Sequence, residues 1–270
     1  MITVLGASGF VGSNLVRGLE ESSIVYAAPS RDDQLAGRNL GHIIYCIGVT
    51  ADFRNRPFDT VRAHVCRLLE VLEGAEFDSF LYLSTTRLYK GAPSTDEDVE
   101  LRINPLLPDD LYNASKIAGE SVCLSCNRPN VRVARLSNVY GEDFTSTNFL
   151  SSVVRDAVSD DHVTLRTTMD SEKDYVSVDD VIGVLPKIAR SGKHRVYNVA
   201  SGTNTMNREL IERIQGETGC TVEVAKAAVT SSFPPIAVDR VREEFGFSPV
   251  PVLDSLGKLV TRYRREVTSS

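Results

Sequence analysis

Apolar runs of strand length recur along the chain at residues 2–5, 24–28, 42–47, 80–83, 131–136 and 196–199. Between them, residues 11–19 and 61–72 bring back Val and Leu at the spacing of one helix face. Strands alternating with helices predict a parallel sheet, because parallel neighbours need a helix-length crossover. Most of these runs are continuously apolar rather than alternating, so both faces of the sheet are expected to be covered. The expected class is therefore α/β, with a doubly wound parallel sheet. From about Gly141 the rhythm loosens into Ser, Thr and Asp clusters, and Pro234, Pro235, Pro249 and Pro251 punctuate short helices near the C-terminus. A small, less regular C-terminal lobe is expected over about 141–173 and 201–270, with residues 1–140 and about 174–200 forming the sheet domain.

Composition narrows the class without changing it. Hydrophobic residues at 42% and charged residues at 24% are ordinary for a globular protein, which excludes disorder and coiled coil. A net charge of -6 gives no general attraction for nucleic acid. The basic cluster Arg262, Arg264 and Arg265 is interrupted by Tyr263 and reads as a solvated helix face. The N-terminus enters a strand with no basic leader, no apolar run approaches a membrane span, and the five cysteines are odd in number and scattered. A soluble cytoplasmic protein with no membrane partner is expected. Cys123 and Cys126 form a C-x-x-C with no second pair at ligand spacing, so helix packing is expected there and no metal.

After the first strand the chain reads Gly6-Ala7-Ser8-Gly9-Phe10-Val11-Gly12 and then turns helical. Glycine permits a sharp turn and lets backbone N–H groups approach a pyrophosphate, while the helix N-terminus favours its charge. The spacing differs from G-x-G-x-x-G, but its place between first strand and first helix is the one a dinucleotide demands. Gly6, Ser8, Gly9, Phe10, Val11 and Gly12 are the expected cofactor contacts, and the sheet is expected to be of Rossmann type. An NAD site would carry an acidic residue near the end of the second strand. Here the segment is Ala28-Pro29-Ser30-Arg31, and the hydroxyl and guanidinium of Ser30 and Arg31 suit a phosphate. NADP(H) is thus favoured over NAD(H); a shift of register would instead offer Asp32 or Asp33.

Tyr112-Asn113-Ala114-Ser115-Lys116 sets a phenol and an ammonium one helical turn apart on one face. A phenol titrates at about 10, and a neighbouring cation favours its ionised form. Tyr112 is a candidate acid or base on that ground.

Taken in order, these segments resemble the extended short-chain dehydrogenases, the NAD(P)-dependent epimerase and dehydratase family of nucleotide-sugar enzymes. The resemblance rests on the glycine turn, on Leu83-Ser84-Thr85-Thr86-Arg87-Leu88-Tyr89, on the Tyr112 and Lys116 pair, and on Arg135-Leu136-Ser137-Asn138-Val139-Tyr140-Gly141. It continues through Asp174-Tyr175-Val176-Ser177-Val178-Asp179-Asp180-Val181, Tyr197-Asn198-Val199-Ala200-Ser201-Gly202 and Phe245-Gly246-Phe247-Ser248-Pro249, nearly the whole chain. It implies that Tyr112 passes a proton to or from a sugar oxygen, that Lys116 holds the nicotinamide ribose and lowers the phenol's pKa, and that Thr85 hydrogen-bonds the same oxygen. In the family the Ser or Thr stands four residues before a Tyr, which selects Thr85 ahead of Tyr89, although Lys90 here precedes Gly91. Ile47 and Gly48 join the expected cofactor set, and Thr86, Arg87, Asn138 and Arg240 the expected substrate set. Asn138 reads equally as a turn residue, and Arg240 equally as a surface arginine. The resemblance also implies a homodimer and a small substrate-binding lobe.

Two departures shape the expected function. The family's 4,6-dehydratases carry Asp-Glu directly after the catalytic Thr, whereas this chain has Thr86-Arg87 and lacks the acid and base for elimination. Where the family often has Asn in the helix after the third strand, this chain has His64, read as an ordinary surface or core histidine. An NADPH-using reductase of a keto-sugar carried on a nucleotide is the expected function. An epimerase that retains its cofactor is the alternative and, from another class, a non-catalytic dinucleotide-sensing or scaffold protein.

Overall fold

A computed structural model describes residues 1–50 and 52–269. The chain divides into two compact units, Met1–Leu136 with Asp179–Val199 and Val238–Phe247, and Ser137–Val178 with Ala200–Ala237 and Ser248–Ser270. Ser270, the last residue of the expected lobe, lies outside the described residues.

The first unit is built on six parallel strands: β1 (Ile2–Leu5), β2 (Tyr26–Ala27), β3 (His42–Tyr45), β4 (Ser79–Thr85), β5 (Val131–Leu136) and β9 (Val196–Val199). Their order is β2-β1-β3-β4-β5-β9. Every residue of β1 and β9 is buried, as continuously apolar strands covered on both faces require. The order reverses between β1 and β3, and ligands of open α/β sheets bind at such a switch point, beyond the strands' C-terminal ends. Helix α1 (Phe10–Glu21) follows β1. After β3, α2 (Pro57–Val61) runs through a π-turn at Arg62–Cys66 into α3 (Arg67–Gly74). Helix α4 (Asp110–Ser125) leads into β5, α6 (Val178–Ser191) into β9, and α8 (Asp239–Phe245) is short. Leu68 and Val71 of α3 and Cys123 of α4 pack with Ile43, Tyr45, Phe80, Tyr82, Val131 and Val133 of the strands in one core.

Strand β2 is shorter than the apolar run at 24–28. Ser23 takes a left-handed φ of 54° just before the run, and Pro29 after it has no N–H to donate, so an edge strand of two residues results. Residues Val238–Phe247, expected with the smaller lobe, belong to the first unit, where Glu244 accepts a hydrogen bond of 2.6 Å from the Tyr197 hydroxyl of β9. Several of the motifs quoted above meet in a buried polar network. Arg135 pairs with Glu120 at 2.7 Å and donates to the Tyr89 hydroxyl at 2.8 Å, and that hydroxyl donates to Asn198 at 2.7 Å. Each charge here has its partner, the condition under which burying it is tolerated.

The second unit contains a three-stranded sheet, β6 (Asn138–Tyr140), β8 (Glu172–Ser177) and β10 (Asn204–Met206), with β8 central. A parallel pair, β7 (His162–Thr167) and β11 (Thr221–Val229), lies in a separate sheet. Helices α5 (Phe149–Ser159), α7 (Asn207–Thr218) and α9 (Val252–Ser269) supply Leu150, Val154, Leu210, Ile214, Leu256 and Val260 to its core. Among the described residues no helix is long and apolar enough to cross a membrane.

Candidate functional site

The turn between β1 and α1 requires glycine at two of its three glycine positions. Gly6 has a φ of +91°, and a Cβ there would lie 2.8 Å from the Ile47 nitrogen. A Cβ on Gly12 would lie 2.2 Å from the Gly6 carbonyl oxygen, well inside contact distance. Gly9 is different: a Cβ would come no nearer than 3.5 Å to the rest of the protein, and the residue is exposed beside exposed Ser8. The first turn of α1, with Phe10 and Val11, has no side-chain cap and no acidic residue, so its N–H groups and the positive end of the helix dipole are left for an anion. Such a cradle fits the pyrophosphate of a dinucleotide.

Beyond β3, Ile47 is half-buried and Gly48 sits where a Cβ would meet His64 Nε2 at 3.2 Å and Lys116 Nζ at 3.6 Å. His64 lies in the π-turn and is fully buried. Its tautomer follows from its neighbours. The Ser115 hydroxyl gives its proton to the Tyr112 carbonyl at 2.8 Å, so His64 Nδ1, 2.8 Å from the same hydroxyl, must be the donor. Nε2 then accepts from the Val49 N–H at 3.3 Å. Burial first and the Lys116 charge second push the His64 pKa down to about 2, so the ring is neutral. This chain of hydrogen bonds ties the loop after β3 to α4, the helix that carries Tyr112 and Lys116.

Tyr112 is buried, with Phe53 tilted against its ring at 5.2 Å and His64 edge-on at 5.3 Å. The Thr85 hydroxyl accepts from the Arg87 N–H at 3.2 Å and acts on the phenol, favouring its ionised form. Burial pushes the Tyr112 pKa up to about 12, against the pull of the Arg87 charge and the Thr85 hydroxyl. The cation acting on the phenol is thus Arg87, where Lys116 was expected. The Lys116 ammonium, also buried, donates instead to the Leu83 carbonyl at 2.9 Å and lies 4.9 Å from the centre of the Tyr82 ring. Burial lowers its pKa to about 8.

The remaining expected residues divide. Thr86 is buried and Arg87 is part-exposed, 5.7 Å from the centre of the Tyr112 ring. Ser30 and Arg31 are exposed after β2, and Asp33 turns its carboxylate back to accept from the Ser30 N–H at 2.8 Å. Arg240, expected to meet a substrate phosphate, is held by acidic residues of its own unit: it pairs with Asp98 and, at 3.5 Å, with Glu97. Asn138, in the second unit, donates to the Asp174 carbonyl at 2.7 Å while its side chain stays near the surface. Phe53, Arg54, Ser115 and the carbonyl of Leu83 were not singled out in the sequence. Phe53 and Arg54 sit in a stretch without periodicity, and a backbone carbonyl leaves no sequence signal.

Residues 38–200 match the model of the NAD dependent epimerase/dehydratase family. The chain is similar to the GDP-6-deoxy-D-mannose reductase of Pseudomonas aeruginosa, 28% identical over 77% of both chains. It is also similar to a dTDP-glucose 4,6-dehydratase of Streptomyces niveus, 22% identical over 97% of this chain and 92% of the relative. Among solved structures it resembles MoeE5 in complex with UDP-glucose and NAD, with a TM-score of 0.80 and 22% identity over 98% of this chain and 99% of the other.

Proposed function

Because the chain belongs to the NAD dependent epimerase/dehydratase family, we propose that it is an NADPH-dependent reductase of a keto-sugar carried on a nucleotide. The observation that carries this reading is a buried Tyr112 on which the Thr85 hydroxyl acts, one turn from Lys116, with Arg87 in place of an eliminating carboxylate.

The cofactor supplies the hydride when bound; the chain's own residues handle the proton and the geometry. Thr85 and Tyr112 hold the carbonyl oxygen from two sides. With its pKa pushed up to about 12, Tyr112 is protonated at neutral pH and ready to donate to the alkoxide as it forms, which suits reduction. Lys116, already anchored on the Leu83 carbonyl, has further N–H donors for the nicotinamide ribose. Gly6, Gly9 and Gly12 cradle the pyrophosphate, with Ser8, Phe10 and Val11 beside it and Ile47 and Gly48 facing it from the end of β3. Ser30 and Arg31 hold the 2′-phosphate, an assignment supported by Asp33 being engaged with its own turn. Loss of water is disfavoured because the positions that would bear its acid and base are Thr86 and Arg87.

Epimerase chemistry would use the same Thr85, Tyr112 and Lys116, and cofactor turnover separates the two. Purified protein incubated with a nucleotide keto-sugar and NADPH should oxidise the cofactor in step with alcohol formation. Protein that retains NAD through purification and interconverts sugars without consuming reduced cofactor would overturn the reductase reading.

A further inference from the structure

Arg87 stands beside the reacting centre with its hydrogen-bonding capacity unused. Its guanidinium lies 5.4 Å from the centre of the Phe53 ring and 5.7 Å from that of Tyr112. Among the described residues its side chain donates no hydrogen bond, and the carboxylate it approaches, Asp109, is 3.8 Å away. Asp109 is already taken: Arg54 grips both its oxygens, at 2.6 and 2.9 Å. The charges of Arg54, Arg87 and Lys90 all act on that one carboxylate, and Arg87 is the charge that also acts on Tyr112. A planar guanidinium with free N–H pairs, part-exposed and close to the phenol, matches a carboxylate in two parallel hydrogen bonds.

Resting on the nucleotide-sugar reading proposed above, we infer that the substrate's sugar is a sugar acid whose carboxylate is bound by Arg87. The reacting oxygen sits against Tyr112 and Thr85, and the guanidinium lies 5.7 Å from the centre of the Tyr112 ring. The carboxylate therefore belongs on the same sugar ring as the reacting carbon. A neutral hexose would leave the Arg87 donors facing a hydroxymethyl group, which offers neither the charge nor the second oxygen. Arg87 acts here as a specificity-determining residue, and Tyr112 and Thr85 keep their roles.

Calorimetric titration of the NADP⁺-loaded protein tests this with two matched pairs, UDP-glucose against UDP-glucuronic acid and GDP-mannose against GDP-mannuronic acid. Within the pair whose nucleotide binds, the acid should bind about ten- to a hundred-fold tighter, the range of a charge-assisted bidentate contact. Arg87→Gln should bring that ratio near one, and Arg87→Lys should keep part of it, with NADP⁺ affinity reporting that each variant is folded. A neutral sugar binding as well as its acid, or a preference surviving in Arg87→Gln, overturns the inference while leaving the nucleotide-sugar reading intact. Binding of NADP⁺ with none of the four sugars, nor dTDP-glucose or dTDP-glucuronic acid, overturns both.

Discussion

Replacing His64 with Gln should flatten the acid side of the stability profile. The histidine is neutral in the fold, with a pKa pushed down to about 2 by burial, while in the unfolded chain it titrates at about 6.5. Below that value the unfolded chain takes up a proton that the native state refuses. The histidine's contribution is thus fully present above about pH 6.5 and falls by about 1.4 kcal/mol per pH unit as the solution is acidified. From pH 7 to pH 5 that amounts to about 2 kcal/mol. Urea unfolding followed by circular dichroism at pH 7, 6 and 5 measures it. Glutamine does not titrate, so whatever it costs at pH 7, the gap between wild type and variant should close by about 2 kcal/mol at pH 5. Asp59 and Asp109, both held low by arginines, lose their contribution at more acid pH and do so equally in both proteins. Parallel losses in wild type and variant would refute the buried, neutral assignment and with it the hydrogen-bonded chain from Val49 to Tyr112.

Other consequences bear on the cofactor and the proton. Tyr112→Phe should lower kcat by about 10²–10⁴ with NADPH affinity retained, since only the proton donor is removed; fluorescence titration and steady-state kinetics separate the two. Gly9→Ala should fold normally and weaken NADPH binding, because its methyl clears the protein but enters the cradle. Gly12→Ala should melt early, its Cβ lying 2.2 Å from the Gly6 oxygen, and thermal shift with and without NADPH distinguishes the two variants. Arg31→Ala should raise the KM for NADPH about ten-fold or more and leave that for NADH unchanged, as expected of a contact to the 2′-phosphate alone.

What could be read in the chain follows the range of the interactions involved. Strands β1, β5 and β9 have the bounds their apolar runs suggest, because burial on both faces is a local property of composition. The glycine turn was legible for the same reason: the close approach of Gly12 to Gly6 is made within seven residues. Contacts made at a distance were not. The partner of Lys116 is a carbonyl 33 residues away, the charges that hold Arg240 come from a loop more than a hundred residues earlier, and Arg87 reaches Tyr112 from another element. The π-turn that buries His64 is also invisible to helical spacing, since residues 61–72 read as one unbroken helix; π-turns recur at functional sites, which is where this one lies.

On the reading proposed above, hydride passes between a nicotinamide and a nucleotide-bound sugar with Tyr112 handling the proton. Incubation with NADPH deuterated at the transferring C4 position and a nucleotide keto-sugar, followed by mass spectrometry of the product, tests it directly. One deuterium should appear on the sugar carbon for each NADPH oxidised, and its transfer should slow about 10²–10⁴-fold in Tyr112→Phe. Product formed without deuterium, or transfer undiminished in the phenylalanine variant, would rule out this role for Tyr112 and the nicotinamide.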